Sequence, residues 1–99
     1  MSTRYFILGG KDNHEVIPSD LKSWAQWFET NERFVQLDTI GEVRVSTVFL
    51  GLDHSFNAGP PLLFETMIFE GAHDLYQERY STWDEAVEGH RRALNLVKQ

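Results

Sequence analysis

The run Leu62–Phe69, Leu-Leu-Phe-Glu-Thr-Met-Ile-Phe, limits what this chain can fold into. Its bulk and β-forming content read as a strand in the middle of a sheet. A central strand needs partners on both sides, and the chain offers them. Val43–Leu52 alternates Val43, Val45, Thr47 and Phe49 with Arg44, Ser46 and Val48, and Arg33–Ile40 alternates less regularly before the Gly41-Glu42 break. Two such runs around a glycine break make a hairpin. Leu75–Tyr80 supplies a further strand after the turn Gly71–Asp74. At the N-terminus, Arg4–Leu8, Gly9-Gly10, Lys11-Asp12-Asn13 and Glu15–Ile17 read as a second hairpin.

Two helices complete the pattern. Pro18-Ser19-Asp20 opens the first, with Ser19 as its N-cap. Leu21, Trp24, Ala25 and Phe28 then share one face, with Trp27 near its edge. The second begins at Ser81-Thr82-Trp83-Asp84-Glu85, where Thr82 and Glu85 have capping-box spacing. Trp83, Ala86, Val87, His90, Leu94 and Val97 recur at helical spacing. Acids open this helix and bases close it, which complements its dipole. Gly89 is out of place, since a mid-helix glycine costs about 1 kcal/mol relative to alanine. It predicts close packing by something at that position.

The order is β-β-α-β-β-β-β-α. The expected fold is a single α+β domain over residues 1–99, with an antiparallel sheet of about four to six strands and both helices on one face. The length is that of one domain, and 41% hydrophobic content provides a core. The absence of cysteine excludes disulfides, thiolate zinc sites and cysteine nucleophiles, and fits a reducing cytoplasm. No stretch approaches the roughly 20 apolar residues of a spanning helix, so no membrane is expected.

The net charge of −6 is concentrated. Between Glu65 and Glu88 stand seven acids and one base, Arg79, while the remaining residues balance. This acidity, and the lack of a basic cluster beyond Arg91-Arg92, argue against nucleic acid as partner. The acids Asp84, Glu85 and Glu88, with Trp27 as a spare aromatic, are instead candidate partner-binding residues, read against a plain solvated face and a core tryptophan. Motifs for catalysis are missing: there is no phosphate-loop frame, no nucleophile elbow and no paired-histidine metal spacing. No cofactor is implied. The polar residues in suggestive places are Asp53 and His54 in the proline-rich loop, Glu65 in the apolar strand, and His90 in the second helix. They form the alternative, a small-ligand or metal pocket that sequesters a nucleotide or hydrolyses a substrate. Against it stand loop chemistry for Asp53 and His54, a solvent-facing or ion-paired Glu65, and a half-buried structural His90.

Val45-Ser-Thr-Val-Phe-Leu-Gly-Leu-Asp-His54, Gly59-Pro-Pro-Leu-Leu-Phe-Glu-Thr-Met-Ile-Phe69, Arg79-Tyr-Ser-Thr-Trp-Asp-Glu-Ala86 and Gly89-His90 together resemble small proteins encoded by bacteriophages and prophages. The likeness covers the C-terminal half to two-thirds of the chain. It implies a phage setting, a host-cell cytoplasm, and a small accessory protein that binds a host or phage protein, as inhibitors of host machinery or defence do. It brings no catalytic residues. A homodimer is a further expectation.

Overall fold

In the computed structural model, which describes residues 4–53 and 59–99, eight elements follow the expected order. They are β1 (Tyr5–Gly9), β2 (Glu15–Ser19), α1 (Leu21–Thr30), β3 (Phe34–Ile40), β4 (Val43–Phe49), β5 (Phe64–Phe69), β6 (Gln77–Tyr80) and α2 (Trp83–Lys98). The strands divide into two antiparallel sheets, the hairpin β1-β2 and the meander β3-β4-β5-β6. This is an α+β fold, with β4 and β5 in the middle of the larger sheet.

The register decides what each face carries. Cross-strand partners point the same way, so Phe49↔Phe64, Thr47↔Thr66 and Val45↔Ile68 share one face, and all six residues are buried. Both helices lie against this side. The 16-residue α2 places Ala86, Gly89, His90 and Ala93 against it, and α1 reaches Phe49 with the rings of Trp27 and Phe28. One apolar cluster gathers Phe6, Leu8, Phe49, Leu63, Phe64, Tyr80 and Ala86, and a smaller one gathers Val45, Ile68 and Ala93. Full burial of side chains of this size contributes about 1.5–3 kcal/mol each. The Thr47–Thr66 pair forms a polar band between the two clusters.

The N-terminal hairpin is tied to the end of β4. Phe6 N donates to Gly51 O at 2.8 Å, and Asp53 N donates to Arg4 O at 3.0 Å. Gly51 has φ 69°, and a side chain there would run into Phe28 and Trp24. Its missing side chain lets α1 lie directly on the backbone. At the other end, the hairpin's His14 stacks on Trp83 at the start of α2, with centroids 3.7 Å apart.

Some expectations are corrected by this geometry. Pro18 and Ser19 pair with Phe6 and Tyr5 inside the hairpin, so the helix starts one residue later than expected. Its N-cap is Asp20, whose carboxylate accepts from Ser23 N at 2.8 Å. The buried side of α1 is Trp24, Trp27 and Phe28, whereas Leu21 is 57% exposed and Ala25 is exposed as well. This ten-residue helix meets β1, Phe49 and Gly51 through its aromatic side chains, and the rest of its surface faces outward among the described residues. Regular pairing of the last strand begins at Gln77 because Leu75 takes φ 69°, outside the strand region. Leu75 N donates to Ile68 O and Ile68 N to Tyr76 O, so these two residues join the ladder as a bulge. The irregular stripe of β3 has a cause: the register with β4 shifts between Phe34 and Gln36, a bulge at Val35.

The capping box on α2 is present as read. Glu85 N donates to Thr82 Oγ1 at 3.1 Å, and Glu85 Oε1 accepts from Thr82 N, also at 3.1 Å. The glycine in this helix is explained by Tyr80, whose ring lies where a side chain at position 89 would stand.

Candidate interaction surface

Four strands with helices on one side leave the other side bare. Here that side carries Phe34 and Leu37 from β3, Arg44, Ser46 and Val48 from β4, Glu65, Met67 and Phe69 from β5, and Gln77 and Arg79 from β6. No described element packs on it. Phe34 is 47% exposed and Leu37 49%, and Val48, Met67 and Phe69 are half-buried only by their neighbours in the sheet. Arg33, Phe34, Leu37, Arg44, Val48 and Phe69 with Ser46 enclose an open depression of about 270 Å³. The Arg44 guanidinium lies over the Phe69 ring, 4.7 Å from its centroid, a cation–π contact that holds the charge at the rim.

Glu65 belongs to this open face. Its Oε2 accepts from Arg79 Nε at 2.9 Å and from Gln77 Nε2. An acid in the apolar strand is therefore satisfied by the neighbouring strand, at a half-buried position.

His90 lies on the opposite side of the sheet. Its ring is fully buried between α2 and the sheet, with Nδ1 2.7 Å from Thr47 Oγ1 and Nε2 2.8 Å from Asp38 Oδ2. Thr47 Oγ1 is in turn 2.5 Å from Thr66 Oγ1. A carboxylate only accepts, so Nε2 carries the proton that Asp38 receives; in the neutral ring Nδ1 then accepts from Thr47, and Thr47 from Thr66. The hydrogen bond from His90, then that from Gln36, holds the Asp38 carboxyl below the usual range. Carboxylate, imidazole and hydroxyl are the groups of a nucleophilic triad, but this hydroxyl is sealed. Thr47, Thr66 and His90 have no exposed surface, and a carbonyl substrate has no approach to Oγ1. The chain of bonds joins α2, β3, β4 and β5 across the polar band. Tyr80 Oη comes near Thr66 without closing a hydrogen bond among the described residues.

Of the residues of the alternative pocket, Glu65 and His90 do not meet. Asp53 accepts from Leu62 N at 3.2 Å through Oδ1, closing its loop. Glu65 and His90 are on opposite faces, and His54 lies outside the described residues. Among the described residues no three His, Asp or Glu side chains gather as a metal-binding group.

The acidic candidates line a second depression, an open groove of about 500 Å³ between β6 and the start of α2. Glu78, Asp84, Glu85 and Glu88 border it together with Arg79 and Arg92. Most of this acidity is already engaged. Glu78 accepts from Arg92 at 2.8 Å and from the Tyr76 hydroxyl at 2.6 Å. The Tyr76 bond, then Arg92, lowers the Glu78 pKa, while burial and Glu78 push the Tyr76 phenol up to about 12. Glu88 pairs with Arg91, and Glu85 is used by the cap. Trp27 is far from free: it stands edge-on to Phe28 and Phe49, at 5.0 and 5.6 Å.

Sequence reasoning did not single out Asp38 or the open apolar face. Thr47 within the Val45–Phe49 stripe was the available signal for the first, and the aromatic and aliphatic side chains on both alternations of Leu62–Phe69 for the second. Comparison with protein-family models, curated proteins and solved structures gives no significant match.

Proposed function

We propose that this chain is a small binding protein that acts without catalysis, docking another protein on the open face of the four-stranded sheet. One observation carries the reading. An antiparallel sheet normally turns a polar surface to water on its uncovered side, yet here Phe34, Leu37, Val48, Met67 and Phe69 occupy it. Apolar surface of this kind on a small domain marks an interaction site. The resemblance to phage-encoded proteins supports a partner in the bacterial host or in the phage, and a role as an inhibitor or modulator of host machinery.

The test is capture from a bacterial lysate with the parent chain and with Leu37→Asp. Leu37 is half exposed, so the variant keeps its fold, which far-UV circular dichroism checks. A partner held by the parent and lost by Leu37→Asp supports the proposal. A partner held equally by both moves the docking site elsewhere, with Asp84→Lys in the acidic groove as the next variant.

A further inference from the structure

We infer that the open face takes an acidic, amphipathic segment of a partner protein, an inference that rests on the reading of that face as the docking site. The chain has nine Lys and Arg against fifteen Asp and Glu, so its cations should be in demand. Three of them, Arg79, Arg91 and Arg92, sit in ion pairs, and the lysines in none among the described residues. Arg33 and Arg44 are in none among the described residues, and both stand at the rim of the depression formed with Phe34, Leu37, Val48 and Phe69. The acid on this face, Glu65, is taken by Arg79 and Gln77. The open face is thus an apolar surface bordered by two guanidiniums that no carboxylate holds among the described residues.

That chemistry selects an occupant. A Leu, Met or Phe side chain of the partner fills the depression, and carboxylates beside it on the same segment reach Arg33 and Arg44. Arg44, already braced over Phe69, presents its planar donors to a carboxylate with little left to order. A second copy fits less well. An isologous contact would set Arg33, Arg44 and Arg79 of one protomer, with only Glu65 to offset them, against the same set on the other. Single-stranded nucleic acid also fits less well: Arg44 already lies over the Phe69 ring, which leaves Phe34 as the exposed ring beside Leu37, Val48 and Met67, and the net charge of −6 repels phosphate.

The experiment is selection of a displayed library of random dodecapeptides on the full chain. It is followed by fluorescence anisotropy with the best synthetic peptide, a fluorescein-labelled oligo-dT as nucleic-acid probe, and sedimentation of the chain alone. Selected peptides that interleave Asp or Glu with Leu, Met or Phe are expected. Their affinity should fall about tenfold or more in Arg33→Glu/Arg44→Glu and weaken with added salt. Arg33→Gln/Arg44→Gln serves if the charge reversal disturbs folding, with a smaller loss in the same direction. Peptides without acids, an unchanged affinity in the arginine variants, or failure to select any peptide overturns the inference. So does oligo-dT binding tighter than the peptide, or a dimer in sedimentation that Leu37→Asp dissociates. Non-acidic peptides that still lose binding in Leu37→Asp would overturn the partner chemistry and leave the docking face standing. Peptides indifferent to Leu37→Asp would overturn both.

Discussion

The phenol of Tyr80 occupies the space that a side chain at position 89 would fill, so β6 and α2 approach each other through a glycine. Gly89→Ala therefore reverses the usual rule. In an exposed helix the change stabilises by about 1 kcal/mol; here it overpacks the interior, and a net loss of about 1–3 kcal/mol is expected. Urea denaturation measures it. A rise in the unfolding midpoint would show that Tyr80 gives way at no cost.

Thr47→Val keeps the shape of the side chain and removes the hydroxyl that bridges His90 and Thr66. Both partners are fully buried, so each is left short of a hydrogen bond. The expected loss is about 1–3 kcal/mol, read as a lower midpoint at unchanged urea dependence. A midpoint equal to the parent's would mean that the polar band contributes nothing to stability.

Acid should loosen the contact between Asp38 and His90. The Asp38 pKa is lower in the folded chain than in the unfolded one, so between the two values the unfolded state binds more protons and stability rises with pH. The contribution is full above the unfolded value of about 4 and disappears as pH falls through the folded value. Asp38→Asn should accordingly lose less stability than the parent as pH falls from about 5 through the carboxylate range. Asp20, Glu78 and Glu88 are lowered too, so part of the acid sensitivity remains in the variant. Thermal unfolding across this range, run on both chains, makes the comparison; parallel curves would remove Asp38 from the account.

Glu85→Ala should cost about 1 kcal/mol, because it dismantles the capping box that starts α2. Asp84→Asn, next to it, should change stability by only a few tenths, about the size of a surface dipole effect. Thermal denaturation of the two variants separates them. A charge reversal of Asp84, Glu85 and Glu88 together would weaken the helix whether or not a partner is present, so Asp84 is the residue with which to probe the acidic groove.

The order and type of the elements were legible because each is written in local chemistry. The box Thr82–Glu85, the β-rich runs around Gly41-Glu42 and the bulk of Leu62–Phe69 needed no tertiary information. Gly89 was legible as an anomaly, though its cause was not, since Tyr80 reaches it only when β6 lies under α2. The start of α1 was misplaced by one residue because Ser19 and Asp20 both cap well, and the choice is made by the pairing of Ser19 with Tyr5. The site was harder. Whether Glu65 and His90 meet depends on register, and a slip of one residue exchanges the faces. Asp38 finds His90 across 52 positions of chain, through contacts that no local pattern encodes.

The bulge at Val35 settles a question of parity. In an unbroken strand, residues three apart point in opposite directions, so Phe34 and Leu37 could not share a surface. The inserted residue shifts the count, pairing Phe34 with Val48 and Leu37 with Ser46, and brings both side chains to the same side. Deleting Val35 would leave the strand's length and composition almost untouched while sending one of those two side chains inward. The width of the exposed apolar surface is thus set by a residue that contributes nothing to it directly.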